Sequence, residues 1–516
     1  MAGARRKNMI LSSFSLPTDF EDRLRSHPIF EIENIYRAYL NCRKRKRNTV
    51  NAMRFEINME ENILNLRKEL ISGSYTPGRS IAFLVEKPKK REIFAADFRD
   101  RIVHHLLVEH LEKYWEKRFI SDSYSCRRQK GTHAAVDKLH SYMMKSSFNN
   151  TQNSWYLQLD IKGYFTTMNK NVLFDILSAK ESDPVILWLT HKILSGSPVD
   201  NCLLRGASLN DFMVLPDHKT LFKTNPDCGL PIGNLTSQFF ANVYLDILDQ
   251  YVKHDLKCKH YLRYCDDFIL LSNRRDYLET CEVSISEFLR KRLQLDLNPK
   301  RKLAKISSGV NFLGYIIKPK YRLVRKRVIG NLYDKLYYAE EQLINEGLNL
   351  SSSSYSLFPW NPSLIEKLFQ QLNSYLAHFN KASNYKIICR LLEKFRWLTE
   401  YFSFFQGISR KIINISLILP KQPLFDRYFQ QVKWFGNILQ SVFFVQIGSF
   451  WDIWDSTKSG ILTHLLKVDN ASKSDMIHFM QQKRARIAII TETGDDSVKI
   501  KSRNLAFRMS PNIINI

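Results

Sequence analysis

Three features of this 516-residue sequence predict an α+β fold with added helical lobes. The chain is too long for one ordinary hydrophobic core, so a large body plus at least one further lobe is expected. Between about 80 and 320, short apolar runs of strand length alternate with segments of helical spacing. From about 323 to Phe405 the spacing is helical alone, broken only at Ser351–Ser354 and at Pro359 and Pro362.

In chain order, Glu31–Leu40 is amphipathic and Arg43–Arg47 is a basic run. Phe55–Ile71 repeats apolar residues at helical spacing before Gly73 and Pro77, so residues 1–79 read as a helical arm. The body at 80–320 has strand patterns at Ile81–Val85, Trp155–Ile161, Tyr261–Tyr264, Phe268–Ser272 and Phe312–Ile317. Residues 321–405 form a helical lobe with a loop at Ser351–Ser354. The remainder, 406–516, reads as a mainly helical extension of unknown role, with strand character at Phe443–Val445 and a loop at Thr491–Asp496.

Apolar residues make up 44% of the chain and aromatics 12%, enough to build cores. No stretch approaches the ~18 apolar residues of a membrane span, so no membrane association is expected. Met1–Leu16 has a serine-broken apolar stretch, a poor secretory signal, and a cytoplasmic location is expected. The eight cysteines include no CxxC pair, which argues against zinc ribbons and thioredoxin-type sites. A formal charge of +26, from 77 basic and 51 acidic residues, is self-repelling unless a polyanion relieves it. Nucleic acid is the partner that composition suggests.

The residues that carry chemistry lie in the body. In Trp155–Ile161 the apolar residues 155, 157 and 159 share one strand face, and Asp160 falls on the other. In His260–Ser272 two apolar strands flank Asp266-Asp267, where a hairpin must turn. Adjacent carboxylates beside Tyr264, Cys265 and Phe268 repel and lose hydration unless a cation compensates them, and hard oxygen ligands suit Mg²⁺. Taken alone, the pair reads equally as a turn facing water. Gly229–Asn242 opens with glycines that permit close backbone approach just before a helix. The runs Glu86–Ile93 and Tyr124–Gly131 are basic clusters, each by itself a solvated charge run.

The ordered series Pro88-Lys-Lys-Arg-Glu-Ile93, Asp97–His105, Tyr124-Ser-Cys-Arg127, Leu159-Asp-Ile-Lys-Gly-Tyr-Phe165, Pro231-Ile-Gly-Asn-Leu-Thr-Ser-Gln238, Tyr264-Cys-Asp-Asp267, Leu297-Asn-Pro-Lys300 and Phe312-Leu-Gly-Tyr315 resembles the successive motifs of prokaryotic reverse transcriptases. The resemblance runs from about Phe30 to Tyr385. It implies a right-hand polymerase, with fingers and palm at 80–320 and a helical thumb at 321–405. It also implies that Asp160 and Asp266 bind two Mg²⁺ ions, with support from Asp267 and the Ile161 carbonyl. Such ions lie ~3.5–4 Å apart in two-metal sites. Lys89 and Arg91 match finger residues that contact the incoming triphosphate, and Arg127, Ile232, Gly233, Ser237 and Gln238 match substrate-binding positions. Lys300 matches a lysine that protonates pyrophosphate, with Lys302 as its neighbour, and Phe165 an aromatic that crowds a 2′-hydroxyl. Without the motif context, Phe165 reads as a core aromatic beside Tyr164.

Where most reverse transcriptases carry Gln-Gly-x-x-x-Ser-Pro, this chain has Ile232-Gly-Asn-Leu-Thr-Ser-Gln238. That variant, with Asn373-Ser-Tyr-Leu-Ala-His-Phe379, resembles the unknown-group, defence-associated enzymes and the related diversity-generating retroelement enzymes. The long tail inclines the reading to antiphage defence. Group II intron maturases fit less well, because their Cys-rich endonuclease has no counterpart here. The expected partners are dNTPs, a DNA product and a template RNA, the last a dedicated non-coding RNA; an oligomer is left open. A catalytically inactive RNA-binding scaffold and an RNA-templated RNA polymerase are the competing classes, disfavoured by the intact Asp triad and by Phe165 respectively.

Overall fold

The computed structural model describes residues 17–44, 49–86, 89–346, 355–359, 361–404, 412–414, 432–433, 435–436, 439, 441–447, 449–458, 461–482, 487–493 and 502–511. Part of the basic run after Arg43, Pro88 of the first motif and the Ser351–Ser354 stretch lie outside them. The chain divides into two compact units, Met1–Leu313 and Gly314–Ile516.

In the first unit, Ile35, Ala38, Tyr39 and Cys42 recur at helical spacing along the Ile32–Arg43 helix and are buried. Phe20–Ser26, Val50–Ile57 and Met59–Ile71 also form helices and bury Leu24, Phe55 and Leu66. These side chains belong to one apolar core with the body helices. The expected arm at 1–79 is therefore part of the body rather than an appendage to it. Its apolar stripes, too small to form a core alone, find their partner in the Phe98–Arg118 helix, which buries Phe98, Ile102 and Leu106.

The strands of this unit are β1 (Ser80–Val85), β2 (Arg91–Ala95), β3 (Trp155–Asp160), β4 (Cys202–Leu204), β5 (His260–Tyr264), β6 (Asp267–Ser272), β7 (Lys302–Lys305) and β8 (Val310–Phe312). A small sheet has the order β2-β1-β4, and a four-stranded one the order β5-β6-β3-β7. In the larger sheet, β3 pairs antiparallel with β6, with Leu159 opposite Phe268 and Asp160 opposite Asp267. Leu157, Leu159, Phe268 and Leu270 point into the core shared with the Leu235–Gln250 and Arg275–Leu293 helices. Period-2 alternation then turns Gln158, Asp160 and Asp267 to the opposite face. The carboxylates thus follow from packing one side of the sheet.

In the second unit, β9 (Tyr315–Ile317) pairs antiparallel with β10 (Arg322–Val324). The helices Lys326–Glu346, Pro362–Phe379 and Tyr385–Lys394 follow, as the thumb pattern predicts. Leu332, Leu336 and Ala339 meet Ile365, Leu368 and Leu372 in a core of their own. Two of the motifs meet here. Gly314, at φ +90°, lies against His378, where an added Cβ would come within 2.9 Å of the imidazole. The Tyr315 hydroxyl donates to the His378 carbonyl at 2.8 Å while the two rings stack.

The extension differs from the helical reading. Beyond β11 (Tyr355–Pro359), β12 (Phe402–Phe404) and β13 (Ile412–Asn414), it forms β14 (Val442–Ile447), β15 (Phe450–Asp455), β16 (Thr463–Asp469), β17 (Ile487–Thr493) and β18 (Ser502–Pro511). These build a sheet of order β11-β18-β17-β14-β15-β16, and the Asn470–Gln482 helix follows β16. The strand character at Phe443–Val445 is β14, whereas Thr491–Thr493, expected as loop, ends β17. Central strands buried on both faces carry continuous apolar runs, which period alone does not separate from a buried helix. β11 comes from the stretch read as a thumb loop and pairs with β18, so thumb and extension share a sheet and the 405/406 boundary does not separate them. Among the described residues no helix is long and apolar enough to cross a membrane.

Candidate active site

The Tyr264-Cys-Asp-Asp267 turn is built from below. Tyr264 pairs with Asp267 across the hairpin, which leaves Cys265 and Asp266 as its two turn residues. Such tight turns need a positive φ, normally supplied by glycine; here Cys265 takes φ 58°. A left-handed non-glycine residue persists where its surroundings over-determine it. Arg263, fully buried on the core face, donates from Nη1 to the Cys265 carbonyl at 3.1 Å and to Asn242 Oδ1 at 3.2 Å. Its Nε and Nη2 grip Asp249 on the Leu235–Gln250 helix, the closest contact being 2.6 Å, and Tyr261 donates to the same carboxylate. Sequence reading missed this clamp. The signal was an arginine at a core-facing position of an apolar strand.

Above it, Asp160 and Asp267 are cross-strand neighbours, with Asp266 at the tip. Gln158 Nε2 donates to both Asp267 oxygens, at 3.1 and 3.2 Å, and to the Asn311 carbonyl. Asn298 donates through its backbone N–H to the Asp160 carbonyl at 2.7 Å and through Nδ2 to Asp160 Oδ2 at 3.1 Å. Neither Gln158 nor Asn298 was singled out from sequence. Gln158 was legible as the residue two before Asp160 on the same strand face, whereas Asn298 needed the fold to bring it there.

Burial, then repulsion from Asp266, pushes the Asp160 carboxyl up to about 6. Burial also pushes Asp267 up to about 7, against the Gln158 hydrogen bonds and with repulsion from Asp160 and Asp266 adding to it. The positive charge of Lys89 pulls both back. Asp160 and Asp267, whose joint ionisation burial and repulsion oppose, together with Asp266 at the tip offer hard oxygen donors of the kind a divalent cation takes. Mg²⁺ takes one or two protein carboxylates and completes its shell with substrate phosphate and water. Among the described residues no group of three or more His, Cys, Asp or Glu, these aspartates included, is already arranged to hold a metal ion.

The other expected site residues divide. Lys89 and Arg91 are exposed at the β1–β2 hairpin, with Arg91 opposite Val85. The Ile232 carbonyl accepts the Phe94 N–H at 2.9 Å, which stitches its loop to the strand bearing Arg91. A Cβ on Gly233, at φ +123°, would lie 2.6 Å from the Phe94 carbonyl, so only glycine fits that approach. Phe165 is half-buried beside the fully buried Tyr164, and its carbonyl accepts the Leu230 N–H at 2.7 Å. Ile161 bridges to Leu297, and Lys300 is exposed just beyond Asn298. Gln238 is exposed, but Ser237 is buried and turned to a cavity that none of the three carboxylates lines.

Arg127 is not available to substrate. Its side chain is 5% exposed, paired with Glu116 at 2.9 Å, and donates to the Ile120 and Ser123 carbonyls. A basic cluster in sequence does not reveal which member turns inward; here the neighbouring Arg128 is the exposed one.

This fold and site define a right-hand, template-directed polymerase. Residues 85–317 match the family described as reverse transcriptase (RNA-dependent DNA polymerase), and the chain carries a domain of that family: it is an RNA-directed DNA polymerase. It is 25% identical over 300 residues to Protein YkfC of Escherichia coli K12, covering 51% of this chain and 71% of that protein. It is 26% identical over 196 residues to the group II intron-encoded protein LtrA of Lactococcus lactis subsp. cremoris, covering 37% of this chain and 28% of that one. Among solved structures, apo telomerase from Candida tropicalis overlaps 48% of this chain and 55% of its own, with 13% identity and a TM-score of 0.36. Telomerase from Candida albicans with a fragment of telomeric RNA overlaps 63% and 55%, with 10% identity and the same TM-score.

The clamp gives a direct test. Arg263→Met leaves Asp249 buried without the Nε and Nη2 donors that grip it and should cost about 3–5 kcal/mol in urea unfolding. Adding Asp249→Leu should recover much of that loss. A single variant as stable as wild type would show that the pair does not hold the turn.

Proposed function

We propose that the chain copies an RNA template into cDNA at Asp160, Asp266 and Asp267 with two Mg²⁺ ions, in bacterial antiphage defence. The observation that carries the chemistry is the placement of Asp160 opposite Asp267, with Asp266 at the hairpin tip beside them. Bound there, such ions activate the primer 3′-hydroxyl and stabilise the leaving pyrophosphate. Gln158 and Asn298 hold the carboxylates in position, Lys89 and Arg91 receive the triphosphate of the dNTP, and Phe165 meets the sugar. Ile232, Gly233 and Gln238 face the nascent base pair, and Lys300 supplies a proton to pyrophosphate.

The defence reading rests on the Ile232–Gln238 variant and on Asn373–Phe379, with a dedicated non-coding RNA as template. A diversity-generating retroelement enzyme shares those motifs and is the second reading. Primer extension on RNA with separate dNTP and rNTP pools, with and without Mg²⁺, tests the chemistry. Phage plating on cells carrying wild type or Asp266→Ala with Asp267→Ala tests the role. Unchanged plating together with sequence diversification at a target gene would favour the retroelement.

Arg91→Ala should chiefly raise the apparent KM for dNTPs about tenfold or more, because a lost charge-assisted contact costs ~1.5–3 kcal/mol. RNA affinity measured by filter binding should change less. Collapse of RNA binding with an unchanged nucleotide KM would make this hairpin a template-binding face.

A further inference from the structure

Within the first unit, behind the Gly229–Asn234 loop, lies a cavity of about 150 Å³. Lys170, His104, Ser237, Asn234 and Phe240 are among the residues that line it, and Lys170 also lines a smaller cavity of about 30 Å³. None of the three carboxylates of the candidate active site reaches either one.

Two polar residues on this wall invite a ligand: Lys170, whose ammonium makes no ion pair within the described residues, and His104, whose Nδ1 is buried without a hydrogen-bond partner. Lys170 is 6% exposed, and burial holds its ammonium below the usual lysine range. His104 is 5% exposed. Asp100, also on the wall, is engaged elsewhere: it accepts from the Tyr75 hydroxyl at 2.9 Å and the Gly78 N–H at 2.8 Å. The Lys170 ammonium has only distant compensation: Asp227, Cys228 and Asp200 act on it through space, and Asp200 shares the wall of the smaller cavity with it. A ligand bringing negative charge to Lys170 and an oxygen acceptor to His104 removes both deficits.

We propose that this cavity is a binding site for a small oxyanion of phosphate size, with Lys170 as counter-charge and His104 and Ser237 as hydrogen-bonding partners. The space is large enough for a tetrahedral anion and accompanying water. The anion is either free phosphate or a phosphate group of a bound nucleic-acid strand. An occupant would bear on the back of the loop whose Asn234 side chain caps the Ala96 N–H at 3.2 Å. The site does not depend on the polymerase reading.

The test uses the full chain with inorganic phosphate, with chloride at matched ionic strength, and with a short single-stranded RNA. Phosphate at millimolar concentration should raise Tm by several degrees over chloride, and Lys170→Met and His104→Leu should abolish the rise. Without phosphate, Lys170→Met should stay close to wild type in Tm, since no direct ion pair of Lys170 is broken. Where RNA supplies the phosphate, free phosphate has no effect, while Lys170→Met weakens RNA binding several-fold and reduces its salt slope by about one. The proposal is overturned if neither probe responds to Lys170→Met. Should that variant not fold, the same comparisons with His104→Leu decide.

Discussion

Asp266→Ala combined with Asp267→Ala is expected to abolish cDNA synthesis while leaving the fold and RNA binding in place. The two residues end a hairpin whose other face is packed by Phe268, Leu270 and Tyr261, none of which the substitutions touch. Loss of ~4 kcal/mol of transition-state stabilisation already lowers the rate about a thousandfold, and a two-metal site deprived of two carboxylates should lose at least that. RNA affinity, carried by the +26 charge, should persist in a gel-shift assay. Measurable extension by the double variant would remove Asp266 and Asp267 from the chemistry.

The same variant carries a pH signature without metal. Asp267 is pushed up to about 7 in the folded chain, above the ~3.9 of an unfolded aspartate. Its contribution to stability is therefore fully present below about pH 4 and is lost as pH rises through about 7. Metal-free wild type should lose Tm over that window relative to the double variant, and Mg²⁺ should narrow the gap. A gap that is constant from pH 5 to pH 8 would mean that burial and the neighbouring carboxylates do not hold Asp267 protonated.

How far the sequence disclosed this arrangement depends on the range of the interaction. Asp160 and the Asp266-Asp267 turn were legible because period-2 alternation and a hairpin tip are local patterns. Asn298 was not, since it meets Asp160 only when a segment 138 residues away in sequence is folded beside β3. Arg127 was misjudged because its charge is visible in sequence and its partner Glu116 is not. The Gly314–His378 contact sits between: both residues stood in quoted motifs, but only the fold shows that one makes room for the other.

The extension was the least legible part. Val442–Val445 and Ile487–Ile490 are continuous apolar runs, buried on both faces as neighbouring parallel strands. Alternation, the clearest local sign of a strand, is absent from such runs. The Tyr355–Pro359 strand was hidden for a different reason: it pairs with a segment near the far end of the chain, and nothing local to its Ser- and Pro-flanked sequence announces that partner.

Phe165→Val is expected to admit ribonucleotides. Of the paired aromatics after Gly163, Tyr164 is the core residue: it is fully buried and its hydroxyl donates to the Ala241 carbonyl. Phe165 is only half-buried, with its ring 5.4 Å from that of Tyr164, so part of the ring stays exposed. Rejection of a 2′-hydroxyl by a ring is steric, and shortening the side chain should recover much of the excluded substrate's kcat/KM. The expected gain is about one to three orders of magnitude, corresponding to ~1.4–4 kcal/mol. Activity with dNTPs should survive, because Phe165 lends no metal ligand and its backbone carbonyl still receives the Leu230 N–H. Single-nucleotide insertion kinetics with dNTP and rNTP pairs measure the ratio directly. If Phe165→Val lowers Tm and leaves the ratio at its wild-type value, the ring is a packing residue, and sugar selection must lie in another side chain.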